Sequence, residues 1–315
     1  MSRNNQNIIL YGQGLLNRYN TPANKAVIEG IRTSGFTTVI LFAVHVSDDG
    51  TLYYSNYPMV VDGNFTGQYS YLPAEVEALK TGGSVKQILF SIGGACVGDF
   101  AHLKNLWSTT QGQNVVLKNF GALAAALPID GFDFDLEEFP LSGYADTVVG
   151  MSIKFHDLFG ARISYAPYNS PDFWVSCLQQ AYKEKKNEVQ VVDWFNLQCY
   201  SGGAGNDPSV WVNDIKNAGD TGVSDAAAFV VPGYSSVAPP NCSPDPAVGV
   251  FCPTDAQNQF YDLAKNTDPG ITGGFIWNFG QIVSCQGFST CTGAITPRAY
   301  AQAIINGLNG AKAGV

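Results

Sequence analysis

The sequence predicts an α/β protein closed into a (β/α)8 barrel, and three observations carry that reading. Eight short runs rich in β-branched and aromatic residues recur along the 315 residues. Amphipathic stretches of helical length separate them. Several of these stretches open on a capping residue followed by proline, the signature of a helix start. Strands alternating with helices imply parallel pairing, and eight such units imply closure rather than an open doubly wound sheet. A barrel routinely takes about 250 residues or more as one domain, so 1–315 is expected to be a single domain.

The strand runs, in order, are Ile8–Tyr11, Thr38–Val46, Gln87–Ile92, Gly131–Glu137, Arg162–Ala166, Phe195–Tyr200, Phe229–Val231 and Gly274–Trp277. Thr21-Pro22, Ser170-Pro171, Asp207-Pro208 and Thr296-Pro297 mark helix starts. Further helices are expected over parts of 73–81, 99–109, 114–126, 142–159 and 255–266. The Pro-rich segment Tyr234–Gln257 follows the seventh strand, so it is expected to hang over the mouth of the barrel.

Composition narrows the function classes. Only 14% of residues are charged and the formal net charge is -9. Nucleic-acid binding needs clustered Lys and Arg, and the nearest cluster, Lys183 to Lys186 with a Glu inside it, reads as a solvated helix end. Neutral polar groups and 12% aromatics suit an uncharged ligand such as a sugar. No run of 18 apolar residues suggests a membrane span. Met1 to Asn7 carries no apolar signal segment. His45, His102 and His156 are scattered without ligand spacing, so no metal or other cofactor is expected. Of the seven cysteines, Cys242 is expected to pair with Cys252 and Cys285 with Cys291, which favours an oxidising compartment. Cys96, Cys177 and Cys199 read as small buried hydrophobes.

Asp130-Gly131-Phe132-Asp133-Phe134-Asp135-Leu136-Glu137 is the most informative stretch. Side chains alternate across a strand, so Asp133, Asp135 and Glu137 share one face. Phe132, Phe134 and Leu136 share the other, which suits packing under the outer helices. The acids then point into the barrel, where like charges cost several kcal/mol unless protons or partners intervene. Crowded carboxylates raise one another's pKa, so one keeps a proton and can act as a general acid. Glu137 stands nearest the C-terminal mouth, where barrel enzymes keep their chemistry. Asp135, two residues away on the same strand, is placed as a helper rather than a covalent nucleophile across the scissile bond. Asp130 has the opposite parity and reads as a strand-entry residue.

This acidic strand resembles the Asp-Gly-x-Asp-x-Asp-x-Glu signature of glycoside hydrolase family 18, the chitinases and related endo-β-N-acetylglucosaminidases. Ser91-Ile92-Gly93-Gly94 is similar to the family's Ser-x-Gly-Gly. Tyr165-Ala166-Pro167, Gln198-Cys199-Tyr200 and Gly273-Gly274-Phe275-Ile276-Trp277 resemble its fifth, sixth and eighth strand endings. The resemblance implies a TIM barrel and substrate-assisted, retaining hydrolysis of β-linked N-acetylglucosamine. Glu137 would protonate the glycosidic oxygen, Asp135 would bind the acetamido N–H, and Tyr200 would donate to the acetamido carbonyl. Asp133 would share a proton with Asp135, Gln198 would line the pocket, and Trp277 would form its floor.

Three departures stand out: Leu136 and Ala95 where Trp is frequent, and Ser201 where Asp or Asn is usual. The loop after the seventh strand is too short for a sizeable α+β insertion, which implies a shallower groove and internal cleavage. Tyr11 and Phe42, near the ends of the first two strands, either contact substrate or pack in the core. Gly12-x-Gly14-x-x-Asn17 is an incomplete dinucleotide-loop pattern and reads as a turn. The expectation is a secreted, monomeric chitinase acting on chitin or its oligosaccharides, with no nucleic-acid or membrane partner. The alternatives are an endo-β-N-acetylglucosaminidase on N-glycan chitobiose cores and a chitinase-like carbohydrate-binding protein without catalysis.

Overall fold

The computed structural model describes residues 6–17, 22–267 and 270–314. Eight strands form the barrel: β1 (Ile8–Gln13), β2 (Thr38–Val46), β3 (Gln87–Gly93), β4 (Gly131–Asp135), β5 (Arg162–Tyr165), β6 (Trp194–Gln198), β7 (Val230–Ser236) and β8 (Gly274–Trp277). Each pairs in parallel with the next, and β8 pairs with β1, so the sheet closes as a (β/α)8 TIM barrel. The outer layer is α1 (Pro22–Arg32), α2 (Leu72–Lys80), α3 (Thr110–Ala126), α4 (Ala145–Phe159), α5 (Pro171–Glu184), α6 (Pro208–Ala218), α7 (Pro253–Asp262) and α8 (Pro297–Leu308).

Strand parity divides two apolar layers. Outward residues such as Phe90, Phe132, Phe134, Ile163 and Phe195 join the core between strands and helices. Phe132 meets Phe120 of α3 and Phe155 of α4 at 5.5 and 5.1 Å between ring centres. Burying each such ring contributes about 2–3 kcal/mol, and it fixes which face of β4 turns inward. The inward layer includes Ile9, Tyr11, Ile40, Leu89, Trp194, Val231 and Phe275. The other face of β4 carries its acids to the axis above this floor.

Capping follows the sequence signals in part. Asp207 accepts from the backbone N–H of Ser209, and Thr296 from that of Ala299. Ser170 precedes α5 in a left-handed conformation, and its side chain makes no capping bond. Thr21 of the Thr21-Pro22 signal lies outside the described residues. Asp130 anchors the start of β4 by pairing with Lys80 at 2.8 Å and accepting from the Ile88 N–H at 2.7 Å.

Several expectations are corrected. The β4 ladder ends at Asp135 rather than Glu137, and β7 runs from Val230 to Ser236, while Phe229 closes a short helix from Ala226. Within Tyr234–Gln257, only the middle is loop, because Val250–Phe251 pairs with β7 and Pro253 starts α7. An antiparallel extension of Leu52–Tyr54, Tyr57–Val61 and Asn64–Phe65, absent from the strand reading, follows β2. The four expected cysteines are bonded, but crosswise, as Cys242–Cys285 and Cys252–Cys291. The β7–α7 and β8–α8 loops lie side by side, with the Thr290 N–H and the Ser289 hydroxyl both donating to the Cys242 carbonyl. That contact joins the loops that the two disulfides cross-link. Cys177 and Cys199 are buried, whereas Cys96 is exposed on the loop after β3.

Candidate active site

At the C-terminal mouth the strand ends enclose a cavity of about 340 Å3. Gln13, Phe42, His45, Gly93, Gly94, Ala95, Val97, Asp135, Glu137, Gln198, Tyr200, Ser201 and Trp277 line it. The volume is within the range of small-ligand pockets. Trp277 meets Phe42 edge-on at 4.7 Å and stacks on Tyr200 at 6.1 Å and 15°. Three aromatic rings thus wall the pocket opposite the acids.

Asp133 lies deepest, fully buried. Tyr11 and Ser91 donate to Oδ2, each at 3.0 Å. Ser164 and Asn196 donate to Oδ1 at 2.6 and 3.0 Å. Ser91 and Ser164 reach it because they are its register partners on β3 and β5. Burial raises the pKa of this carboxyl, and the four donors pull against that rise. Four donors use the acceptor positions of a carboxylate, so Asp133 sits in a polar cage that opposes the effect of burial.

Asp135 and Glu137 are arranged differently. The Gln198 amide donates to Asp135 Oδ1 at 3.0 Å and to the Ala166 carbonyl at 2.9 Å, and approaches Glu137 Oε1 at 3.5 Å. The Gln198 amide spans the two carboxyls, and the charge of Glu137 bears on Asp135. Burial, then the charges of Glu137 and Asp133, push Asp135 well above the usual carboxylate range. Burial raises Glu137 as well, against bonds from Gln198 and Asp135. Burial and crowding therefore favour a proton on the pair more than on separate, exposed carboxyls. The resemblance implied a proton shared between Asp133 and Asp135, and the charge of Asp133 does raise the Asp135 carboxyl, after that of Glu137. Burial and the same acids push Tyr200 well above its usual range, so its phenol stays a hydrogen-bond donor.

The eight predicted residues fall into two groups. Glu137, Asp135, Tyr200, Gln198, Trp277 and Phe42 line the cavity. Asp133 lies below it. Tyr11, expected near substrate, is also beneath the cavity, buried and bonded to Asp133. Gly93 and Gly94 adopt positive φ of 100° and 117°, and a Cβ on Gly93 would stand 2.4 Å from the Asp135 carbonyl. Only glycine permits that strand ending.

Sequence reasoning missed Gln13, His45 and Val97. Gln13 lies two residues beyond Tyr11, so strand parity could have found it. His45 could not be found that way. A register shift between Leu41 and Val44 adds a residue to β2, so Phe42 and His45 both reach the cavity despite their odd spacing. Among the described residues no group of three His, Cys, Asp or Glu side chains gathers as a metal site requires, and no helix is long and apolar enough to cross a membrane.

Neither a protein-family model nor a curated protein sequence matches this chain. Solved structures do. A fungal endo-β-N-acetylglucosaminidase of glycosyl hydrolase family 18 is 20% identical over 96% of this chain and 97% of its own, with a TM-score of 0.62. A family 18 chitinase from Pseudoalteromonas aurantia is 16% identical over 96% and 100%, with a TM-score of 0.60. A chitinase-like agglutinin from Robinia pseudoacacia is 13% identical over 94% and 98%, with a TM-score of 0.57. This chain shares their barrel fold along nearly its whole length.

Proposed function

We propose that the protein is a family 18 glycoside hydrolase, an endo-acting chitinase that cleaves β-1,4-linked N-acetylglucosamine polymers with retention. The observation that carries this reading is the crowded Asp135–Glu137 pair, bridged by Gln198, facing an aromatic-walled pocket. Fold likeness to structures whose names include chitinases lends support. A sugar ring stacks on the Trp277 face, and its 2-acetamido N–H donates to Asp135. That bond favours the charged form of Asp135, so a proton on the pair passes to Glu137.

Glu137 then protonates the glycosidic oxygen as the bond to the anomeric carbon breaks. The acetamido carbonyl oxygen attacks that carbon from the opposite side and forms an oxazolinium ion. Tyr200 donates to this oxygen and orients it. Water, giving a proton to Glu137, attacks the same carbon as its bond to the acetamido oxygen breaks, which regenerates the acetamide, restores the acid and gives net retention. Asp133 stays in its cage of four donors, and any charge on it opposes a second negative charge on Asp135 and Glu137.

The short connection between β7 and α7 builds no high wall, which supports internal cleavage. The two disulfides are compatible with an extracellular protein, and we read the chain as a secreted, single-domain monomer. The fungal neighbour favours a second reading, cleavage within the chitobiose core of N-glycans. One assay tests both: the chain is incubated with an N-acetylglucosamine hexamer and, separately, with a high-mannose glycopeptide. Release of internal fragments from the hexamer supports the chitinase reading. Cleavage of the glycopeptide alone transfers the function to N-glycans, and cleavage of neither leaves the carbohydrate-binding role that the agglutinin's name suggests.

A further inference from the structure

We infer that His45 is a substrate-binding residue that offers Nε2 to a sugar hydroxyl or amide on the β2 side of the cleft. This rests on the glycosidase reading and adds to it a residue outside the predicted set. His45 lines the same cavity as Glu137, and three elements hold it there. The register shift in β2 turns it toward the cavity. Its backbone pairs with Tyr53 of the antiparallel extension. Its Nδ1 lies 2.8 Å from Oδ2 of Asp99, which begins the helix Asp99–Trp107.

Asp99 is itself fixed. It is buried at 3% exposure, and its Oδ1 accepts from the Val46 N–H at 2.7 Å. The Asp99 oxygen at Nδ1 makes that nitrogen the donor, which leaves Nε2 as the ring nitrogen available to a ligand. The imidazole is therefore fixed in rotation and tautomer by groups that do not face the cavity. A ring needed only to tether Asp99 has no reason to line the cleft, because the Val46 N–H already holds that carboxylate. Orienting a polar edge over a pocket by a buried partner is the arrangement a binding site requires. Asp99 is the positioning residue in this scheme.

The test measures affinity for an N-acetylglucosamine hexamer by calorimetry in a Glu137→Gln background, so that turnover does not consume the ligand. Adding His45→Ala is expected to weaken binding about tenfold, the loss of one well-placed hydrogen bond. Adding His45→Gln, which keeps a side-chain acceptor, is expected to stay within about threefold of the parent. Asp99→Asn presents N–H to Nδ1 and is expected to move the ring proton to Nε2, read from 15N imidazole shifts. If both His45 variants bind as the parent does, the inference is overturned, whatever their melting temperatures. If His45→Ala does not fold, His45→Gln and the imidazole shifts decide: an unchanged tautomer in Asp99→Asn rejects the fixed-ring scheme. A parent that fails to bind the hexamer removes the chitin-type reading instead, and the inference falls with it.

Discussion

The lower and upper halves of the acidic strand present the same chemical groups in opposite states. Asp133 has four donors from four other strands around two oxygens. Asp135 and Glu137, one turn of the pleat above, have the Gln198 amide and each other. A buried carboxylate with its acceptors filled has little reason to change protonation. Two crowded, buried carboxylates bridged by one amide are poised to move a proton. Satisfaction by donors, rather than burial alone, separates a structural charge from a reactive one.

The sharpest break of this comparison is at the cage. Asp133→Ala removes the acceptor for Tyr11, Ser91, Ser164 and Asn196 together. Leaving buried donors unpaired costs roughly 1–3 kcal/mol each, so a loss of about 3 kcal/mol or more is expected, read from urea unfolding. Asp135→Asn should cost no stability near neutral pH, because it removes a charge from a crowded pair. Equal losses in the two variants would refute the division of the strand into satisfied and unsatisfied halves.

The next effect is on turnover. Glu137→Gln keeps the shape and the contact with Gln198 but removes the transferable proton. Hexamer cleavage is expected to fall by at least about 10²-fold, the low end for a general acid, with hexamer affinity retained. Turnover equal to the unaltered protein would reject Glu137 as the acid. Retained binding with lost turnover distinguishes a disarmed enzyme from a misfolded one.

How far the site was legible follows from period and register. The inward projection of Asp133, Asp135 and Glu137 depends only on strand alternation, and alternation survives although the ladder stops at Asp135. Barrel closure was legible because eight units repeat. The partners of Asp133 were hidden in plain polar residues: Ser164 and Asn196 carry no motif, and only the register between strands brings them to one level. His45 escaped because the extra residue in β2 reverses the parity on which the reading relied. The disulfide partners escaped because separations of 43 and 39 residues say nothing about which loops touch.

The smallest expected effect tests the proton pair through stability rather than activity. Folding raises the carboxyls of Asp135 and Glu137 above their unfolded values. The native state therefore holds more protons than the unfolded chain as pH passes between those values. For a group raised on folding, the stabilising contribution is complete below the unfolded value and is lost as pH rises through the folded one. Both acids thus erode stability on going from acid toward neutral pH. Asp135→Asn removes one member, relieves its repulsion of the other, and removes that erosion. Its melting temperature relative to the unaltered protein is expected to climb between pH 4 and pH 8. Scanning calorimetry across the pH series reads that rise. Asp133→Asn, which introduces N–H where the cage supplies donors, should instead lower the melting temperature at neutral pH. A flat difference for Asp135→Asn across the range would mean that folding does not raise the Asp135 carboxyl, and the crowded pair would have to be abandoned.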